Sequence, residues 1–398
     1  MPLFTRPSRV FTLCLPVALG LACSLTWSLP AAAQSNPSQQ KAATARPPQP
    51  SGQRPDAQAW AQDVAQRRGI DPIWLQQQLA QARFLPQVPR LMTPARKSAS
   101  TAPDWASYRS RMVEPIRIRA GVRFWNEHAD TLARAQAIYG VPASIIVGIL
   151  GVETLYGRHM GNLRVLDSLS TLAFDFPSAH PRAAQRQAYF QGELEQFLSS
   201  AWHSGDDPTR PLGSYAGAMG LGQFMPSSLE KWAVDFDGDG QINLFDSVAD
   251  AIGSVAHYFQ GHGWTSGLPV LYTPLFSDSS LDLPTLLAPD IRPTFTAAEL
   301  VAHGVIPQGG MQHPGLLALV ELKNGSRPPS YIVGTQNFYV ITRYNWSSYY
   351  ALAVYDLGQE IAAARTGTQP DLAQPVTAPE TDLQPAPDST PAVAADPS

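Results

Sequence analysis

Residues 141–153, Val141-Pro142-Ala143-Ser144-Ile145-Ile146-Val147-Gly148-Ile149-Leu150-Gly151-Val152-Glu153, form an almost unbroken apolar run that ends in one carboxylate. The run has to be packed away from water, and it takes Glu153 with it. Removal from water disfavours the charged form, so the pKa rises and a proton stays available near neutral pH. That is the making of a general acid. A buried Glu at a helix end can equally be paired with an Arg and hold two helices together. Gly148 and Gly151 bear on this choice, since each costs roughly 1 kcal/mol in a helix relative to Ala and is easiest to explain where a backbone or a ligand comes close.

With 398 residues, 44% of them hydrophobic, and 9 Trp, 13 Tyr and 15 Phe, the chain can surround such a run with a large core or divide into two or three lobes. Residues 1–33 read as a signal peptide. Arg6 and Arg9 precede an apolar stretch, and Ala31-Ala32-Ala33 offers a small-residue cleavage site. Leu21-Ala22-Cys23 offers a competing lipoprotein cleavage site, with membrane attachment through a lipidated Cys23 as its consequence. Both cysteines, Cys14 and Cys23, fall in this leader, so a chain cut after Ala33 has neither disulfide nor thiol chemistry. It also has 26 basic against 32 acidic residues, a net charge of −6. That balance argues against nucleic acid as a partner, for which a basic face is expected.

Residues 34–55 are rich in Pro, Gln, Ala and Ser and read as a disordered linker, and residues 367–398 as a disordered acidic Pro/Ala-rich tail. Between them the first half is helical. Asp71-Pro72 supplies an N-cap and a first-turn proline, and 105–119, 120–139, 193–202 and 248–259 have helical character. Gly140 and Pro142 mark the break before the helix that carries Glu153. After Trp264 come short β-prone pieces at 269–272, 316–323 and 331–333, and helical periodicity returns at 349–363. The expected fold is mainly α. A helical part spans 56–265, a small β-rich lobe spans 266–335, and the helical core resumes over 336–366.

Three further constellations carry chemistry. Residues 213–226 are small and glycine-rich and end in Gln223-Phe224-Met225-Pro226. Without the Lys-Ser/Thr of a phosphate loop they suit a polar, hydroxyl-bearing ligand against Ser214 and Gln223, or else tight packing between elements. Residues 235–246 match an EF-hand-like calcium loop, with Asp235, Asp237 and Asp239 at positions 1, 3 and 5 and Gly240 at the turn. Gln241 gives its backbone carbonyl at position 7, and Asp246 closes at 12 in place of the usual Glu. Residues 337–350 crowd Tyr, Trp and Asn together in the manner of a sugar-binding wall, or of a core.

Five blocks together resemble the lytic murein transglycosylase B family of bacterial cell-wall enzymes, over about residues 105–361. They are Ala120-Gly121-Val122-Arg123-Phe124-Trp125; Tyr139-Gly140-Val141-Pro142 with Ile146 through Thr154; Gly217-Ala218-Met219-Gly220 with Gly222 through Pro226; the calcium loop; and Ile341-Thr342-Arg343-Tyr344-Asn345. The resemblance implies a lysozyme-like helical core with an additional α-helical part, a small β lobe and a structural calcium ion, with no organic cofactor. It implies peptidoglycan glycan strands as substrate and Glu153 as the sole acid/base, cutting between N-acetylmuramic acid and N-acetylglucosamine to leave a 1,6-anhydro sugar. Ser214, Gln223, Tyr258, Tyr344, Asn345, Tyr350, Tyr108 and Arg186 would line the glycan cleft. It implies a monomer in the periplasm of a Gram-negative bacterium, an outer-membrane lipoprotein if Cys23 is lipidated, with other cell-wall enzymes as candidate partners. The rivals at this point are a hydrolytic muramidase using Asp167 or Asp175 to activate water, a non-catalytic wall-binding scaffold, and a calcium-dependent adhesion module.

Overall fold

The computed structural model describes residues 53–93, 103–277 and 280–379. The leader with Cys14 and Cys23, most of the expected linker and the end of the tail lie outside the described residues. In chain order come α1 (Pro55–Arg68), α2 (Pro72–Gln81), α3 (Gln87–Met92), α4 (Trp105–Met112), α5 (Pro115–Glu127), α6 (Ala129–Tyr139) and α7 (Ala143–Thr154). Next are β1 (Leu163–Arg164), α8 (Val165–Phe174), α9 (Ala183–Ser204), β2 (Leu212–Gly213), α10 (Pro226–Trp232) and α11 (Val248–Gly261). A β-rich stretch then holds β3 (Leu271–Tyr272), β4 (Pro274–Phe276), α12 (Leu283–Leu287), α13 (Ala297–Ala302), β5 (Val305–Pro307), β6 (Ala318–Asn324) and β7 (Arg327–Gly334). The chain returns to helix in α14 (Gln336–Thr342) and α15 (Ser348–Thr366) and finishes with β8 (Val376–Thr377).

The apolar run is α7. Nine of its twelve residues are buried, which leaves no polar stripe along it. Its glycines are there for contact with α15. A methyl group on Gly148 would stand 2.3 Å from the carbonyl oxygen of Val354, and one on Gly358 would stand 2.2 Å from that of Ser144. The two helices therefore touch backbone to backbone, and the close-approach reading of Gly148 holds. Around this pair packs the largest core cluster, with Ile146, Leu150, Phe259, Phe338 and Leu352 fully enclosed. A second cluster joins α1, α2 and α3 to α8 and α9, and a third lies under the β sheet around Leu300, Leu319 and Val333.

Helices differ from the sequence expectation in several places, and the one expected at 193–202 begins ten residues earlier, at Ala183. The expected helix 105–119 breaks before Pro115, whose missing N–H and fixed φ suit the first turn of a new helix rather than the interior of an old one. The new helix then runs past 120 to Glu127, and the chain turns at His128 (φ −120°, ψ 28°) before α6. Helix α8 is absent from the sequence expectation although Val165, Leu166, Leu169, Leu172 and Ala173 stand at helical spacing, and its polar residues Asp167, Ser168, Ser170 and Thr171 are buried with the rest.

In the sheet, β6 pairs antiparallel with β7 in the register Leu319↔Val333 and Val320↔Ile332. On the other edge of β7, β3 covers Val333–Gly334 and β8 covers Ser330–Tyr331. Strand β8 corrects the expected disorder from Gly367 onward, since residues 367–379 return to the body. Ala373 N–H donates to Asp356 at 3.3 Å on the way. Apolar and backbone-pairing residues Leu372, Val376 and Thr377 are sparse here, so composition alone hid the strand. At the other end, Arg54 is part of the fold rather than of a linker, with its guanidinium on Asp175 at 2.5 Å.

Candidate active site

Glu153 stands in the last turn of α7, half-buried. Its helix end is clamped. The fully enclosed Thr154 hydroxyl donates to the Leu221 carbonyl at 2.8 Å and accepts from Gly157 N–H at 2.9 Å. Leu155 (φ 51°) and Tyr156 (φ 57°) then both take the left-handed conformation, which is strained for residues with a Cβ, and swing the chain away. Sequence reasoning missed Thr154, whose importance lies in a partner 67 residues away.

The Glu153 side chain has no ion pair among the described residues, so the structural salt-bridge reading fails. Arg117, the nearby candidate, donates to the carbonyls of Gly151 and Arg111 instead. Glu153 accepts from the hydroxyl of Tyr350, which is 2% exposed. Enclosure by protein raises the Glu153 pKa from its ordinary 4.5 to about 7, against the lowering effect of the Tyr350 hydrogen bond. At neutral pH a large fraction of the carboxyl is protonated, poised to give or take a proton.

Three phenols surround it. Burial first, and the neighbouring Glu153 charge second, push Tyr344, Tyr350 and Tyr108 above the ordinary phenol range. Tyr344 lies near-parallel to Tyr350, 6.5 Å between ring centroids, and donates to the Gly222 carbonyl at 2.6 Å. Tyr108 meets Tyr349 edge-on at 5.9 Å. Tyr258 packs edge-on against Tyr344 at 4.9 Å and donates to the Arg343 carbonyl at 2.7 Å. Of the expected cleft residues, these four are brought together with Glu153.

Gln223 is held in the left-handed conformation (φ 51°), and its amide nitrogen donates to the carbonyls of Met160 at 3.1 Å and Gly220 at 3.0 Å. That fixes the amide plane and leaves the side-chain oxygen as the free acceptor. The Ser214 hydroxyl accepts from Ala218 N–H at 3.1 Å, closing the glycine loop. Two of the glycines serve packing. At Gly220 (φ 70°) a methyl would strike the Leu244 carbonyl at 2.4 Å, and at Gly217 (φ 84°) the Leu169 side chain at the same distance. Gly222, by contrast, lies under the Tyr344 hydroxyl. Asn345 is exposed beside Tyr344. Arg186 stands on α9, stacked on Tyr189 at 5.4 Å, and Tyr189 is within electrostatic reach of Tyr258.

Neither acid needed for the hydrolytic alternative is free. Asp167 is buried, accepting from Arg83 N–H at 2.9 Å with Arg164 at 3.7 Å, and Asp175 is paired with Arg54.

The acidic loop brings together three carboxylates, of which only two are in the expected ligand set. Carboxylate oxygens of Asp235, Asp237 and Asp250 lie within 4.8 Å of one another. Asp239 instead accepts from Gln241 N–H at 2.8 Å, and Asp246 is exposed with the Asn243 amide at 3.3 Å. The reason is where the exit helix begins. In an EF-hand the closing acid rides on the first turn after the loop, but α11 starts only at Val248, capped by Ser247. Asp250 in that first turn is the acid that converges with Asp235 and Asp237, and its carboxylate also accepts from Phe236 N–H at 2.7 Å and Asn243 N–H at 2.8 Å. Three carboxylates at one point suit a hard divalent cation with oxygen ligands.

A family model described as Transglycosylase SLT domain matches residues 52–359. The chain belongs to this SLT transglycosylase family. Membrane-bound lytic murein transglycosylase B of Escherichia coli strain K12 is 44% identical over 317 residues, which is 78% of this chain and 84% of the relative. Among solved structures, the E. coli lytic transglycosylase Slt35 in complex with calcium superimposes with a TM-score of 0.68. It is 43% identical, over 79% of this chain and 95% of that one. SltB3 from Pseudomonas aeruginosa in complex with NAG-anhNAM-pentapeptide gives a TM-score of 0.61 at 28% identity, over 82% and 83%. This SLT transglycosylase is therefore a peptidoglycan-cleaving enzyme of the lysozyme-like, mainly helical class, as the five blocks implied.

Proposed function

We propose that the chain is a lytic transglycosylase acting on the β-1,4 bond between N-acetylmuramic acid and N-acetylglucosamine, with Glu153 as acid and then base. The observation that carries this is a lone half-buried carboxyl with a pKa of about 7, hydrogen-bonded by a phenol and without a second free carboxylate from Asp167 or Asp175. Protonated Glu153 gives its proton to the glycosidic oxygen as the bond from that oxygen to C1 of the muramic sugar breaks. The muramic C6 hydroxyl then closes on C1, and its proton returns to Glu153. One sugar oxygen replaces another at C1, no water is consumed, and the product is a 1,6-anhydro end. The neighbouring N-acetyl group assists departure, as in substrate-assisted glycosidases that dispense with a carboxylate nucleophile.

In this reading Tyr350 steadies the ionised form of Glu153 between the two proton transfers. Gln223, with its amide nitrogen occupied, offers an acceptor to sugar hydroxyls or N-acetyl N–H groups. Tyr108, Tyr258, Tyr344, Ser214, Asn345 and Arg186 line the glycan path. Asp235, Asp237 and Asp250 hold a calcium ion that ties the loop to α11, a structural role without part in the proton transfers. The expected setting is the periplasm after export, on glycan strands, as a monomer.

Digested cell wall analysed by mass spectrometry tests the reaction. A terminal muramic sugar lighter by one water is the expected product, and Glu153→Gln should abolish it. A reducing terminal sugar, or undiminished lysis by Glu153→Gln, overturns the proposal.

A further inference from the structure

The aromatic block 337–350 holds more than the site uses. Trp346 is 50% exposed, one residue beyond Asn345, at the outer end of the Tyr344–Tyr350 wall. Two guanidiniums sit over its indole, Arg343 at 4.9 Å and Arg292 at 5.9 Å. Arg343 also covers Tyr339 at 5.9 Å, and Tyr339 meets Trp346 edge-on at 6.0 Å, so the cation is held between two rings. Among the described residues neither Arg292 nor Arg343 is paired with a carboxylate, and both are exposed. Two exposed guanidiniums drawn to one ring, with no carboxylate partner among the described residues, leave their donor forks open to a bound carboxylate. Arginine's planar fork is the side chain suited to that group.

This place adjoins the site, two residues beyond Tyr344. A groove of about 480 Å³ runs from Trp346 past Ser347 and Ser348 to Tyr349, with Ile291 and Leu319 on its apolar side. Tyr349 in turn touches Tyr108, which feels the Glu153 charge. Of the two acids lining the groove, Glu321 has Lys323 at 3.8 Å. Trp346 is thus shared: its ring lies under Arg292 and Arg343, which have no carboxylate partner among the described residues, and it also lines the groove together with Asp290.

We infer that Arg292, Trp346 and Arg343 form a docking site for a carboxylate of the peptide stem borne by the glycan strand, so that the enzyme favours peptide-bearing over bare strands. The inference rests on the proposed cleavage of glycan strands. A stem always offers an anion, because every peptide ends in a carboxylate, and the indole face covers the adjoining apolar side chains.

The test compares kcat/KM on two substrates, glycan strands with their stems and the same strands after enzymatic removal of the stems. Wild type, Arg292→Gln, Arg343→Gln and Trp346→Ala are each assayed on both. The expected result is a preference for peptide-bearing strands in wild type. The ratio of the two rates should drop by about tenfold when either guanidinium is neutralised, with the change carried in KM. Using a ratio removes any general loss of folded enzyme. Amidation of the stem carboxylates should lower the wild-type ratio in the same way. An unchanged ratio in all three variants overturns the inference while leaving the cleavage reaction intact. Equal losses on both substrates in Trp346→Ala overturn it too, since they make the indole a glycan platform. No cleavage of either substrate by wild type overturns the proposed function, and this inference with it.

Discussion

Tyr350→Phe isolates the one side-chain hydrogen bond that Glu153 receives among the described residues. The phenol stabilises the carboxylate and opposes the upward pull of burial, so deleting the hydroxyl must raise the Glu153 pKa further above 7. A hydrogen bond to a charged acceptor is worth about 1.5–3 kcal/mol, and about 1.4 kcal/mol corresponds to one pH unit. The variant's titration should therefore move alkaline by about one to two pH units. In kcat/KM, which reports the free enzyme, activity requires the protonated acid and falls as pH rises through about 7 in wild type. In Tyr350→Phe that basic limb should lie at higher pH, with a lower plateau because the carboxylate formed after the first transfer has lost its donor. The measurement is initial rate of release of anhydro products from purified wall, from pH 4 to about 10. Tyr344→Phe is the control. Its hydroxyl donates to Gly222 rather than to Glu153, and its limb should move less. A Tyr350→Phe limb that stays in place or moves acid refutes the reasoning, because the phenol would then not be stabilising the charged form.

The same burial costs folding stability. Glu153 is raised from 4.5 to about 7, so between those values the folded protein binds more protons than the unfolded chain and stability falls as pH rises. Glu153→Gln should accordingly melt higher than wild type above pH 7, by an amount that vanishes below about pH 4.5, in parallel thermal scans. Calcium at a hundred times its dissociation constant should stabilise the protein by about 2.7 kcal/mol. This Tm shift should survive Asp246→Asn and be lost in Asp250→Asn, since only Asp250 converges with Asp235 and Asp237. Gly148→Ala drives a methyl into the Val354 carbonyl and should destabilise by about 1–3 kcal/mol in urea unfolding, against the usual gain from Ala in a helix. A stabilised Gly148→Ala would show that α7 and α15 are farther apart than described.

What the sequence revealed was local chemistry; what it withheld was long-range geometry. The run before Glu153 announced a buried acid because hydrophobicity and one carboxylate are visible side by side. The Asp71 cap was equally plain, and its carboxylate does accept from Ile73 N–H at 2.9 Å. The convergence of Asp250 on Asp235 and Asp237 was hidden because it depends on where α11 starts, and that is set by the Ser247 cap rather than by loop spacing. Thr154 was hidden because its partner, Leu221, is supplied by another part of the fold. The glycine loop was legible as a constraint but not as a purpose. Gly217 and Gly220 face Leu169 and Leu244, whereas Gly222 faces Tyr344, and only the fold separates them. Helix α8 and strand β8 escaped notice for different reasons, the one because its four polar residues gave no sign that they would be buried and the other because it is too short and proline-flanked to show a strand.

Glu153 and Tyr350 lie 197 residues apart, one on α7 and the other on the helix that seals against it through Gly148 and Gly358. The acid therefore acquires its partner only when nearly the entire chain has been threaded and closed, because the contact that aligns them is between backbones and has no looser version. A truncated or half-folded copy carries Glu153 but not its setting. For an enzyme proposed to cut the layer that keeps a cell from bursting, competence is a property of the finished molecule alone.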